Sequence, residues 1–94
     1  MRLIVTIPAL NEAATIGAVI REVPRHIPGI AAVEVLVVDD GSRDDTVEEA
    51  LRAGADYVVS NRLNRGLAAT FKIALMEACA RGADIIVNTD ADNH

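Results

Sequence analysis

Four short, nearly unbroken apolar runs, separated by segments of helical period, constrain this chain more than any other feature. Leu3–Ile7 (LIVTI) is the first, Val33–Val38 (VEVLVV) the second, Tyr57–Val59 with Ala55 beside it the third, and Asp84–Asn88 (DIIVN) the fourth. Runs of this length without alternation suit parallel strands covered on both faces. Pro8 is expected to close the first of them, because proline has no N–H for a ladder.

Between the runs, Ile16, Val19, Ile20 and Val23 recur at i, i+3, i+4 and i+7, one face of a helix. Asn11 is its expected N-cap, and Pro24 should end it near Val23. His26-Ile27-Pro28-Gly29 then reads as a turn. A second, shorter helix is expected to turn Val47, Ala50 and Leu51 inward, with Ser42 and Asp45 at capping-box spacing and Gly54 just past its end. A third places Leu67, Phe71, Ala74, Leu75 and Ala78 on one stripe, followed by Gly82. The order β-α-β-α-β-α-β with right-handed crossovers gives an α/β fold, a mostly parallel sheet with helices on both faces. By analogy with doubly wound sheets the strand order should be 3-2-1-4, with the switch point between strands one and four. Ligands of such sheets bind beyond the carboxyl ends of the strands at that point.

Composition narrows the partners. Ninety-four residues make one domain at most, and the net charge is −5. No basic stripe is present, and Tyr57 and Phe71 are the only aromatic residues, so neither duplex nor single-stranded nucleic acid is an expected partner. Cys79, the one cysteine, is expected to be a small buried thiol of the third helix. The chain starts directly on a strand pattern, with no signal-peptide pattern and no apolar run near the ~18–20 residues that span a bilayer. The expected location is the cytoplasm.

The carboxyl ends of the four runs carry Pro8-Ala9-Leu10-Asn11-Glu12, Asp39-Asp40-Gly41-Ser42, Asn61-Arg62-Leu63-Asn64-Arg65-Gly66 and Asp90-Ala91-Asp92-Asn93-His94, whereas the opposite ends carry ordinary turns. In extended chain Asp90 and Asp92 share a side, so both can approach one divalent cation such as Mg²⁺ or Mn²⁺, whose hard character suits carboxylate oxygen. For a bare D-x-D, an acidic turn or N-cap is the simpler explanation. After the second strand, Asp39 can cap backbone N–H groups of the turn, while Asp40 can accept hydrogen bonds from a nucleoside. Adjacent acids repel unless something cationic or donor-rich faces them. Glu12 suits the first turn of a helix on macrodipole grounds alone. Arg62 and Arg65 can face phosphates or simply be solvated. His26 lies at the wrong edge for the site, and His94 can be a neighbour of Asp92.

Taken together, Ile7-Pro8-Ala9-Leu10-Asn11-Glu12, Val38-Asp39-Asp40-Gly41-Ser42 with Asp44 and Thr46, Asn64-Arg65-Gly66-Leu67, Gly82-Ala83-Asp84 and Asp90-Ala91-Asp92 resemble the family 2 glycosyltransferases, in that family's order and along essentially the whole chain. The resemblance implies a Rossmann-like GT-A fold, a three-layer sandwich, with residues 1–94 as the N-terminal, nucleotide-sugar-binding half of the domain. Under it, Pro8 and Ala9 wall the base pocket, and Leu10 stands where members often carry an aromatic residue. Glu12 lies near the nucleoside, Asp40 reads the base edge, and Val38 sits behind it. Asp90, Ala91 and Asp92 form the D-x-D segment, with Asp90 near the ribose or metal and Asp92 a direct ligand of Mg²⁺ or Mn²⁺. The implied donor is a UDP- or GDP-sugar.

Within the family, these motifs look most like the dolichol-phosphate mannosyltransferase and polyprenyl-phosphate glycosyltransferase branch. That implies a lipid-phosphate acceptor and membrane association of the full-length protein. The catalytic base is expected beyond residue 94, so residues 1–94 alone should bind a nucleotide diphosphate with metal yet transfer no sugar. An open fourth-strand edge makes self-association of such a piece an expectation. Two other readings are a receiver-like signalling module and a noncatalytic nucleotide-binding or interaction domain. The first needs acids at the end of strand one and an acceptor Asp after strand three, where this chain has Pro8-Ala9 and Ser60-Asn61.

Overall fold

The computed structural model describes residues 1–61 and 64–91. Its elements run β1 (Arg2–Ala9), α1 (Ile16–Glu22), β2 (Ala32–Asp39), α2 (Thr46–Arg52), β3 (Tyr57–Ser60), α3 (Leu67–Ala80) and β4 (Ile85–Asn88). All strands are parallel, in the order β3-β2-β1-β4. This is the 3-2-1-4 sheet expected from the sequence, with β1 and β2 central and most deeply buried.

Alternation along the central strands feeds two cores. Val5, Ile7 and Ala9 of β1, with Val33, Val35 and Val37 of β2, pack on Ile16, Val19 and Ile20 of α1 and Ala50 of α2. Ile4, Leu36 and Val38 face the other way, onto Ala74 and Ala78 of α3. Each central strand is thus apolar on both faces, which is why its sequence shows a run rather than an alternation. The three layers follow directly.

Several local expectations give way. β1 continues through Pro8 to Ala9. Thr6 carbonyl accepts the N–H of Thr89, so Thr6 points its backbone toward β4. Pro8, two residues on, would point its N–H to the same side, where β4 has already ended at the Thr6–Asn88 pair. No ladder bond is lost there, and an opening is left beside β1. Asn11 does not cap α1; Thr15 holds that position. Asn11 instead adopts a left-handed φ of 53°, which asparagine tolerates better than most residues. The Ser42/Asp45 capping box does not form: Asp45 is the N-cap of α2 without a side-chain bond, and Asp44 accepts from the Thr46 N–H instead.

α1 ends as expected, with Val23 in the extended conformation that Pro24 requires. On α2 the inward residue is Ala50, whereas Leu51 is exposed. On α3 the stripe against the sheet is Thr70, Ala74 and Ala78 with Ile73 beside it. Leu67 (72% exposed), Phe71 and Leu75 lie one position round the helix on its outer side. Cys79 is exposed too. α3 is apolar nearly all round, so its period could not choose between the two stripes. The small residues won because they let the helix axis approach the sheet. Among the described residues no helix is long and apolar enough to cross a membrane.

Candidate functional site

A cleft of about 280 Å³ opens at the carboxyl ends of the strands, between β1 and β4. It is lined by Pro8, Ala9, Leu10 and Glu12 after β1, Asp40 after β2, Asn64, Gly66, Leu67 and Thr70 at the start of α3, and Asp90 and Ala91 after β4. Seven of the nine residues singled out from the sequence therefore meet in one place: Pro8, Ala9, Leu10, Glu12, Asp40, Asp90 and Ala91. Val38 is fully buried in the α3-side core, behind the cleft rather than on it. Asp92 lies outside the described residues, as do Arg62 and His94. Arg65 is exposed and is not part of the lining.

The two loops that follow β1 and β2 are built as one unit. The Asn11 N–H donates to Ser42 Oγ at 2.8 Å, and Asn11 Oδ1 accepts from the Arg43 N–H at 2.8 Å. The Glu12 N–H donates to Thr46 Oγ1 at 2.9 Å, and the Ala13 N–H to Asp44 Oδ2 at 3.2 Å. The Thr46 hydroxyl in turn donates to Asp44, which that bond holds below the usual carboxylate range. Glu12 lies in the turn before α1, not in its first helical turn, and its carbonyl accepts the Thr15 and Ile16 N–H groups. Asp44 and Thr46 thus set where the backbone of Glu12 sits.

The adjacent acids after β2 have separate donors. Asp39 is buried and accepts from the Ser42 N–H and the Ser60 hydroxyl, the turn-capping role anticipated for it. Asp40, 4% exposed, accepts the N–H groups of Arg65 at 2.9 Å and Gly66 at 3.0 Å, with Asn61 Nδ2 at 3.4 Å. Burial pushes its pKa up, but the bonds from Arg65, Gly66, Asn61 and Thr70 together outweigh that and hold it below the usual range. Asp40 is therefore ionised at neutral pH and shapes the cleft by pinning the entry to α3. Gly66, with φ of 91°, makes that turn possible.

Glu12 and Asp90 are differently placed. The only side-chain partner of the Glu12 carboxylate among the described residues is the Thr15 hydroxyl at 3.2 Å, and that hydroxyl sits closer, 2.7 Å, to the Ala91 carbonyl. Asp90 is exposed in the cleft, flanked by buried Ala91. None of the ion pairs among the described residues includes a cleft carboxylate. Three acids facing one cleft repel a diphosphate unless a cation intervenes. Among the described residues no three acids, histidines or cysteines stand together so as to hold a metal ion by themselves; the exposed Asp90 carboxylate offers the hard oxygen that a divalent ion takes. Such ions commonly keep coordination positions for phosphate oxygens and water.

The sequence reading missed Thr70, whose hydroxyl donates to the Gly66 carbonyl at 2.8 Å, and the bridging hydroxyl of Thr15. It also put Leu67 on one stripe with Ala74 and Ala78, where the structure puts it on the cleft rim. Threonines carry no spacing signal; they were identifiable only once the elements were assembled.

The model of glycosyl transferase family 2 matches residues 4–94. The chain belongs to that family. Among its curated relatives, the glucosyl-3-phosphoglycerate synthase of Mycobacterium tuberculosis is 36% identical over an alignment covering 94% of this chain and 28% of the relative. The chain therefore spans under a third of that relative's length. The crystal structure of the M. tuberculosis synthase in complex with Mn²⁺, UDP and glucosyl-3-phosphoglycerate superposes with a TM-score of 0.73 at 33% identity, over 96% of this chain and 33% of that one. S. aureus TarS 1-349 in complex with UDP gives a TM-score of 0.71 at 25% identity, over 98% of this chain and 28% of that one. The family 2 chain thus has the GT-A architecture its motifs implied, and two similar structures carry a uridine nucleotide.

Proposed function

We propose that this family 2 chain binds the donor of a metal-dependent glucosyl transfer, and that the donor is UDP-glucose held with Mn²⁺. The observation that carries the reading is the meeting of Glu12, Asp40 and Asp90 in one cleft at the switch point of the sheet. Pro8, Ala9 and Leu10 wall the base side, and Glu12 accepts hydrogen bonds from the nucleoside. Asp40 holds the Arg65–Gly66 backbone that closes the pocket and, with Val38 behind it, fixes the depth to which a base can enter. Asp90 and Asp92 are the protein ligands of the cation, and Mg²⁺ is the alternative ion. When bound, that ion neutralises the diphosphate and stabilises it as a leaving group while an acceptor hydroxyl attacks the anomeric carbon.

Two acceptors compete. The polyprenyl- or dolichyl-phosphate reading, with its membrane surface and a GDP-sugar as alternative donor, rests on motif resemblance alone. The names of the M. tuberculosis synthase and its complex favour 3-phosphoglycerate, a small phosphorylated hydroxy acid, with UDP as the nucleotide. We favour the second, and with it the cytoplasmic location expected from the sequence. Self-association has its support in the exposed Leu67, Phe71, Leu75, Met76 and Val87; a monomer by light scattering at high concentration refutes it.

Calorimetric titration tests the donor reading. UDP should bind more tightly than GDP, only weakly without Mn²⁺, and Asp92→Ala should abolish the metal-dependent gain. Equal affinity for UDP and GDP, or no effect of Mn²⁺, overturns it.

A further inference from the structure

Thr15 occupies the N-cap of α1, yet its side chain makes no capping bond. A threonine at that position ordinarily accepts an N–H from the first turn of its own helix. Here the hydroxyl reaches the carbonyl of Ala91, 76 positions away, at 2.7 Å. A hydroxyl has one proton to give, and the nearer acceptor takes it, so the Glu12 carboxylate at 3.2 Å is left without that donor.

The consequence falls on Asp90. On one side, the Thr89 N–H is held by the Thr6 carbonyl at 3.0 Å, and Thr6 is fully buried. On the other, Ala91 is buried against the core that contains Ala9 and Ile16, and its carbonyl is held by Thr15. Asp90 itself is exposed between these two anchors. Thr15 precedes Ile16, which is fully buried, so the second anchor is referred to the rigid core and not to a mobile loop.

Resting on the donor reading above, we propose that Thr15 is a positioning residue for the sugar-nucleotide cleft, its hydroxyl bond to Ala91 fixing the backbone from which Asp90 projects. The hydroxyl is turned away from its own helix and toward the carboxylate segment. Groups that orient metal-binding carboxylates ordinarily change affinity by about 10–100-fold when removed.

The test compares Thr15→Val, which keeps the shape and loses the hydroxyl, with Thr15→Ser, which keeps the hydroxyl. UDP affinity is measured with Mn²⁺ and with EDTA, alongside the thermal midpoint and the carbonyl ¹³C shift of Ala91. Thr15→Val should weaken UDP binding in Mn²⁺ roughly tenfold, change binding in EDTA less than twofold, and shift the Ala91 carbonyl upfield. Thr15→Ser should restore all three. Thr15→Ala carries the same expectation should the valine variant not fold. The proposal is overturned if Thr15→Val matches wild type in Mn²⁺, or if affinity falls equally with and without Mn²⁺ as the midpoint drops. Wild-type protein that gains nothing from Mn²⁺ removes the donor reading itself, a result distinct from either.

Discussion

The two ends of the sheet treat charge in opposite ways. At the amino ends, cations and anions pair. Arg2 bonds Glu34, which also accepts from the Tyr57 hydroxyl, while Arg81 lies over the Tyr57 ring and bonds Glu77. Arg25 bonds Asp56, whose carboxylate also accepts the Val35 N–H. At the carboxyl ends, Asp39, Asp40 and Asp44 accept backbone N–H groups, and no cation pairs with Glu12 or Asp90 among the described residues. One end is electrostatically closed; the other is anchored in place with charge left over. Uncompensated charge at fixed positions is what a binding site for a cationic or donor-rich ligand requires.

The largest effect that would break this contrast is at Asp40. Asp40→Ala leaves the Arg65 and Gly66 N–H groups without their acceptor and should lower stability by about 1.5–3 kcal/mol, the range for hydrogen bonds to a charged group. Urea unfolding at unchanged slope measures it; a loss near zero would mean that the α3 entry does not depend on this carboxylate. Next comes Asp90→Ala, which should weaken Mn²⁺-dependent UDP binding by roughly tenfold or more while moving stability by less than about 0.5 kcal/mol. A stability loss without a binding loss would make Asp90 structural and erase the difference between the ends.

The pH dependence sharpens the comparison further. Asp40, Asp44 and Glu34 are all held below the usual carboxylate range in the folded chain. Folding therefore gains from their ionisation above the unfolded values, and that gain is lost as pH falls through the lowered ones. Urea midpoints should be level from neutral pH to about pH 5 and decline below about pH 4, and Asp40→Asn should make the decline shallower. An unchanged acid limb in that variant would assign it to Asp44 and Glu34. The smallest effect is expected from Glu34→Gln, which weakens the Arg2–Glu34–Tyr57 network: a slightly lower thermal midpoint, with UDP affinity within twofold of wild type.

How much of this was legible in the sequence depends on how far each signal reaches. The strand runs, their order and the collection of polar residues at one edge are local patterns, because a strand covered on both faces must be apolar throughout and a parallel sheet sends all its carboxyl ends the same way. The meeting of Pro8, Ala9, Leu10, Glu12, Asp40, Asp90 and Ala91 followed from those rules without coordinates. Pattern failed where two local solutions were equally good. Asn11 and Thr15 can both cap a helix, and the choice fell to the Asn11–Ser42–Arg43 clasp between loops. Ala74 and Leu75 both belong to apolar stripes of α3, and the approach distance to the sheet decided between them.

The order of apolar runs and helical segments by itself determined a mostly parallel sheet with helices on both faces and its polar residues gathered at one edge, because burial on two faces and crossover handedness leave few alternatives. The 3-2-1-4 order came by analogy with doubly wound sheets. Only the tertiary structure decided which acids are spent on backbone N–H groups and which remain open, and that Thr15 serves Ala91 rather than its own helix. The Asp39 bond to the Ser42 N–H spans three positions and was legible as a turn. For Asp40 and Thr15 the choice rests on hydrogen bonds to residues 25 and 76 positions away, which no local preference encodes.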